Sequence, residues 1–390
     1  MASFRQTKTA SYIGYFIQAI VNNLSPLFFI FYERDLSLHY TELSFIVLLN
    51  FSTQLVIDIA SAFFVDKIGY RTCIRTAHVV SFAGLILLPV LPSFLPPFVG
   101  IGIATVFMAV GSGLIEVMIS PIIESLPGDR KAGQMCLLHS FYCWGVVGVS
   151  AVTTVLLATV RMWRVIPFFW ALVPLANFFL FRSVPIIEPP KAEKYNVRNL
   201  LRNKTFLLMM AIMACGGAAE LSMSQWASVF AEQSLGLPKT LGDLLGPCGF
   251  ALFMGLGRTT YGLWGHKIQI RKALAACAAL CFFCYLLVAM TEIPLLGMIG
   301  CMLCGLSVSL MWPGCLSLAA GQISGSTKVF ALLAMSGDIG CTAGPWLIGI
   351  VAALSAQAQI PLAGLRMGLL AGALFPLCMI ITLILTEKKK

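Results

Sequence analysis

The chain has 390 residues, is 59% hydrophobic and only 11% charged, and carries a formal net charge of +10. An average globular domain is about 25% charged, so a soluble fold is excluded. Unbroken apolar runs long enough for the ~20 residues of a bilayer crossing also exclude a β-barrel, whose strands alternate.

Read in order, the apolar runs predict an all-α polytopic membrane protein with twelve transmembrane helices in two pseudo-symmetric six-helix bundles. The first six spans fall near 10–32, 42–65, 72–93, 97–124, 132–159 and 163–182. The second six fall near 205–231, 241–264, 272–291, 293–320, 328–355 and 362–386. Between them lies a polar stretch rich in proline and charge. The expected domains are therefore an N-terminal bundle at 1–183, a linker at 184–204 and a C-terminal bundle at 205–390. The first run is too long for a signal-peptide core, so no cleaved leader is expected.

The basic residues explain the net charge without nucleic acid, because they cluster on alternate loops. Arg5, Lys8, Lys67, Arg71, Arg75, Arg130, Lys131, the linker, Lys267, Arg271, Lys272, Lys328 and the C-terminal lysines share one side. The other side holds only Arg34, Arg161, Arg164, Lys239 and Arg366. Both termini and the linker are expected in the cytoplasm, in an inner or plasma membrane. Two C-x-x-C pairs, Cys281/Cys284 and Cys301/Cys304, have zinc-ribbon spacing but lie inside apolar helices. They read as small buried hydrophobes, and neither metal nor cofactor is expected.

The halves repeat. Asp66 to Arg71 (DKIGYR) aligns with His266 to Arg271 (HKIQIR) at an offset of 200 residues. Ser140 and Gly148 align with Ser336 and Gly344 at an offset of 196. Two parallel repeats are a plan of transporters that rock about a midplane site. Phe63 to Arg71, FFVDKIGYR, resembles the loop signature of the major facilitator superfamily between its second and third helices. The second copy keeps Gly257, Arg258, Gly262 and Lys267 but has His266 where the acid would stand. GLIE in helix four and LLHSFYCWG in helix five are similar to the fucose-permease-like sugar–proton symporters. The acidic residue that some of those members carry in helix one is replaced here by Asn22-Asn23.

The resemblance implies that helices one, four, seven and ten line a central cavity. Glu116 stands in the middle of helix four, where a charge costs about 2.5–3.5 kcal/mol to insert. A dry cavity favours the neutral carboxyl, so Glu116 is the leading proton-coupling candidate, with His139 and Glu220 beside it. Substrate contacts are expected from Asn22, Asn23, Glu116, Glu220, Gln225, Trp226 and Trp312: amides and carboxylates bond hydroxyls, and an indole offers a flat face. Asp58, Asp66, Lys67, Arg71, Arg258 and Asp338 are assigned to a cytoplasmic gate. Asp338 also remains open as a proton site.

The expected function is proton-coupled symport of a small neutral polar solute such as a sugar, by alternating access of a monomer. The expected partners are that solute, protons and the bilayer. Proton-coupled efflux of amphipathic compounds is the alternative, kept open by 17 methionines. A non-transporting receptor is the alternative from another class. An enzyme is not expected: the four histidines are scattered at His39, His78, His139 and His266, with no nucleophile–base pair.

Overall fold

Proline and glycine placement determines where these apolar runs bend and how closely they pack. The computed structural model describes residues 3–160, 162–187, 197–238, 241–242, 244–323, 327–356 and 364–387. Arg161, the linker centre at 188–196, Lys239 and Lys388 to Lys390 lie outside them. The described elements are all helical. Eleven helical segments among the described residues are long and apolar enough to cross a membrane. The expected span at 241–264 is described as a π-helical turn, Leu244–Cys248, running into a helix at Gly249–Trp264. Pro247 lies in that turn and has no N–H for the regular ladder.

Contacts between helices divide the chain into two units. The first comprises 1–128, 141–193 and 325–331; the second comprises 129–140, 194–324 and 332–390. The division differs from the expected boundaries in two places. The first ten residues of the fifth span group with the second unit, and the start of the eleventh groups with the first.

In the first unit the helices are α1 (Phe4–Asn23), α2 (Phe29–Leu36), α3 (Tyr40–Ile68), α4 (Tyr70–Val90), α5 (Pro97–Ser125), α6 (Lys131–Val160, entering from the second unit) and α7 (Ile166–Ser183). The first span is longer than expected and broken by a 3-10 turn at Ser25–Phe28. Pro26 has no N–H to donate four residues back, which places Asn22 and Asn23 at the end of α1. Helix α5 packs against α1, α3 and α4. It comes close to α4 at Gly111, where a Cβ would lie 2.9 Å from the Ala77 carbonyl and 2.1 Å from the Ser81 hydroxyl.

The second unit contains α8 (Val197–Leu200), α9 (Lys204–Gln233), α10 (Gly249–Trp264), α11 (Ile270–Met290), α12 (Pro294–Val308), α13 (Met311–Ile323), α14 (Thr327–Ala356), α15 (Leu365–Gly372) and α16 (Leu374–Glu387). Most of α14 belongs here. It meets α9 backbone to backbone: a Cβ on Gly340 would lie 2.0 Å from the Ala214 carbonyl. The four C-x-x-C cysteines are buried where α11 meets α12, with the sulfurs of Cys281 and Cys304 3.9 Å apart.

The sequence repeat has a shared structural purpose. Arg71, at the start of α4, donates to the Phe181, Arg182 and Val184 carbonyls at 2.9, 3.1 and 2.9 Å. Arg271, two hundred positions later at the start of α11, donates to the Leu383 carbonyl and the Thr386 hydroxyl. A helix leaves its last carbonyls without intrahelical donors. Each arginine supplies them, tying the third span of its half to the sixth.

Candidate functional site

In the first unit a polar ladder joins α1, α3 and α5. Tyr15, Gln18 and Asn22 follow helical spacing on α1; Ser120, Glu116 and Ser112 do the same on α5. The Tyr15 and Ser120 hydroxyls bond at 2.9 Å. The Gln18 amide donates to Glu116 Oε2 at 2.7 Å. One level further, Asn22 Nδ2 and Ser112 Oγ both donate to Gln54 Oε1, at 3.3 and 2.9 Å. Gln18 and Gln54 are 5% and 3% exposed, while Asn22 and Glu116 are part-exposed. Asn23 turns back on its own helix and donates to the Ala19 carbonyl at 2.9 Å.

Three atoms of this cluster, Gln18 Oε1, Asn22 Oδ1 and Gln54 Nε2, are buried and have no hydrogen-bond partner among the described residues. Each such atom costs about 1–3 kcal/mol. Buried polar groups are nearly always satisfied by protein, water or ligand, so these three atoms call for a partner beyond the side chains around them.

In the second unit the central group is Arg258, 3% exposed on α10. Its Nη2 donates to Glu220 Oε2 at 3.1 Å, its Nε to the Ser309 carbonyl at 3.0 Å and its Nη1 to the His139 carbonyl at 3.3 Å. The Ser309 bond has a covalent origin. Pro313 lacks the N–H that would return to residue 309, so the tenth span breaks between Val308 and Met311. The break thus falls a few residues before Pro313 itself, where the lost donor is felt. Arg258 fills the gap and links the break to α9.

The remaining candidates are placed as follows. The His139 side chain is buried. Gln225 is exposed and Trp226 half-buried, its indole N–H donating to the Pro345 carbonyl at 3.0 Å. Trp312 lies against Gly337, where a Cβ would come within 2.4 Å of the indole. Asp338, next in sequence, is part-exposed. Asp58 is fully buried in the first unit. Asp66 accepts from the Thr327 hydroxyl at 2.7 Å, and Tyr70 bonds the same hydroxyl. An acid at the first residue of α14 complements the positive end of the helix dipole. Lys67 is exposed.

Gln18, Gln54 and Ser112 were not among the sequence candidates. Gln18 is four residues before Asn22 and Ser112 four before Glu116, so helical spacing alone points to both. Gln54 joins them only through tertiary packing. No group of three or more potential metal ligands occurs among the described residues.

The family model of the Major Facilitator Superfamily matches residues 11–345. No curated protein matches the chain in sequence. Among solved structures, the fucose:proton symporter FucP of E. coli superposes with a TM-score of 0.82 at 15% identity, covering 97% of this chain and 98% of that one. The human organic anion transporter MFSD10 gives 0.76 at 13% identity, covering 98% and 100%. The proton:xylose symporter XylE gives 0.78 at 10% identity, covering 98% and 95%. At these identities the likeness is one of fold, and the family match over most of the chain carries the assignment. The chain belongs to the major facilitator superfamily and is a multi-pass secondary transporter rather than an enzyme.

Proposed function

We propose that this transporter couples inward movement of a small neutral polar solute, of the sugar class, to entry of a proton. The observation that carries the reading is Glu116, a part-buried carboxylate in the membrane-spanning part of α5 that accepts from the neutral amide of Gln18. An amide has both a donor and an acceptor, so it can bond the carboxyl with or without its proton. Glu220 differs, because Arg258 beside it is always charged and balances an ionised carboxylate. On this reading Glu116 carries the proton, and Glu220 with Arg258 is a fixed pair supporting the break in the tenth span. The solved structures of a fucose:proton and a proton:xylose symporter with the same fold support the substrate class.

Transport proceeds by alternating access, with the two six-helix halves rocking and both termini in the cytoplasm of a cell membrane. Asp66 at the start of α14 serves the cytoplasmic gate, and His139, Asp58 and Asp338 support the helices around it. The test is Glu116→Gln in proteoliposomes. Accumulation driven by an inward proton gradient should disappear while solute exchange at equilibrium persists. Accumulation by the variant against a gradient would refute the role of Glu116.

One observation favours the second reading, proton-coupled efflux of amphipathic compounds. An apolar groove of about 330 Å³ on the first unit is lined by Phe45, Leu49, Phe98 and Phe107. Stabilisation of the purified protein by hydrophobic cations but by no sugar would select that reading.

A further inference from the structure

Gln54 is the hub of the first-unit cluster. Its Oε1 accepts from two side chains, Asn22 and Ser112. With Oε1 so engaged, Nε2 is buried and has no hydrogen-bond partner among the described residues. The atoms without a protein partner among the described residues are then two carbonyl oxygens, on Gln18 and Asn22, and one amide nitrogen, on Gln54. The accessible edge of the cluster is formed by the part-exposed Asn22 and Glu116.

We propose that Gln54 is a specificity-determining residue of the transport site, reading hydroxyl groups together with Gln18 and Asn22. The solute it selects is a polyol or monosaccharide presenting at least two hydroxyls to this cluster. The inference rests on the neutral-solute reading and narrows it.

The argument is an inventory of donors and acceptors. Two carbonyl oxygens need donors, and the Gln54 amide needs acceptors. A hydroxyl supplies both, so two hydroxyls can complete the set. A carboxylate solute offers acceptors to Nε2 but no donor to the two oxygens, and it brings a second negative charge to Glu116. A quaternary or hydrophobic cation offers no acceptor and leaves Nε2 unpaired. A site built from buried hydrogen-bonding groups rejects an analogue lacking the matching hydroxyl far more strongly than an apolar pocket discriminates by size.

The experiment uses the purified full-length chain and equilibrium binding followed by tryptophan fluorescence. The probes are L-fucose, D-xylose, D-glucose and D-glucitol, each compared with deoxy analogues. At least one probe should bind the parent chain, with one of its deoxy analogues at least about tenfold weaker, the factor expected from losing about 1.4 kcal/mol of hydrogen bonding. Gln54→Leu should lower affinity by a similar factor and erase the deoxy discrimination. Gln54→Asn keeps the amide but draws it back by one methylene, and it should lower affinity for the hydroxyl-bearing probe with a smaller change in melting temperature than Gln54→Leu. The deoxy comparison on the parent chain stands even where a variant fails to fold.

Absence of binding by all four probes, or variants that retain affinity and discrimination, would overturn the assignment. The two readings fail separately. If Gln54 variants bind as the parent does while solute still drives proton entry, Gln54 is not the reader and symport stands. If the bound sugar moves no proton but Gln54 governs its affinity, symport fails and the Gln54 assignment stands.

Discussion

At the scale of single residues, Arg258 is the group whose removal should be felt most widely. It serves Glu220, the carbonyl freed by Pro313 and the His139 carbonyl at once. Arg258→Met leaves a carboxylate and a carbonyl without their donor, and removing one partner of a buried pair costs about 3 kcal/mol or more. The expected result is a marked fall in the melting temperature of the detergent-purified protein. Combining Arg258→Met with Glu220→Gln should recover part of it, because the unpaired charge is gone. A single variant as stable as the parent would show that the pair carries no structural load.

This is also where the sequence was least informative. Glu116 was visible because a lone carboxylate in an apolar run is expensive, whatever surrounds it. Arg258 was visible as a charge but not as a partner of Glu220, since the bond spans 38 residues and two helices. Gln18 was signalled only by its helical spacing from Asn22, and Gln54 by nothing in the sequence. A glutamine in a membrane helix is cheap enough to serve as interhelical glue, and only the bonds to Glu116, Asn22 and Ser112 separate these two from that role. Arg71, assigned from the loop signature to the gate, also holds the end of α7. Its use depends on which helix end lies beside it.

At the scale of elements, the breaks and close approaches follow from residue type, although the first span, read as one run at 10–32, hid the break at Pro26. Pro26 and Pro313 lie just beyond the two helix breaks they cause, because each removes one specific N–H. Gly340 and Gly344 face α9 with hardly room for a methyl group, and Gly337 lies against the Trp312 indole. Gly340→Ala should therefore destabilise the second unit by about 1–3 kcal/mol, since the atom in the way is a backbone oxygen that cannot swing aside. Gly321→Ala is the matched control: no heavy atom lies within 4 Å of its added methyl, and alanine favours the helix by roughly 0.5–1 kcal/mol. Thermal unfolding of the two variants should move in opposite directions. Equal destabilisation would mean that the α9–α14 contact is looser than its glycine spacing indicates.

At the scale of the whole molecule, span count and the repeat were legible because hydropathy and loop charge are summed over many residues. The exchange of 129–140 and 325–331 between the two contact units was not. It depends on which helix ends pack together, and composition carries no trace of that. The loop charges make a direct prediction of orientation. A fluorescent reporter at the C-terminus should be active in the cytoplasm, and an alkaline phosphatase fused there should be inactive.

The central claim is that solute and proton move together and that Glu116 carries the proton. The most direct measurement records pH outside de-energised proteoliposomes while a concentrated pulse of a bound sugar is added. With the parent chain, sugar entry should draw protons inward and raise the external pH, and a protonophore should abolish the signal. With Glu116→Gln the sugar should still equilibrate without any pH change. Sugar entry through the parent chain with no proton movement, or an undiminished pH change with the variant, would contradict the account.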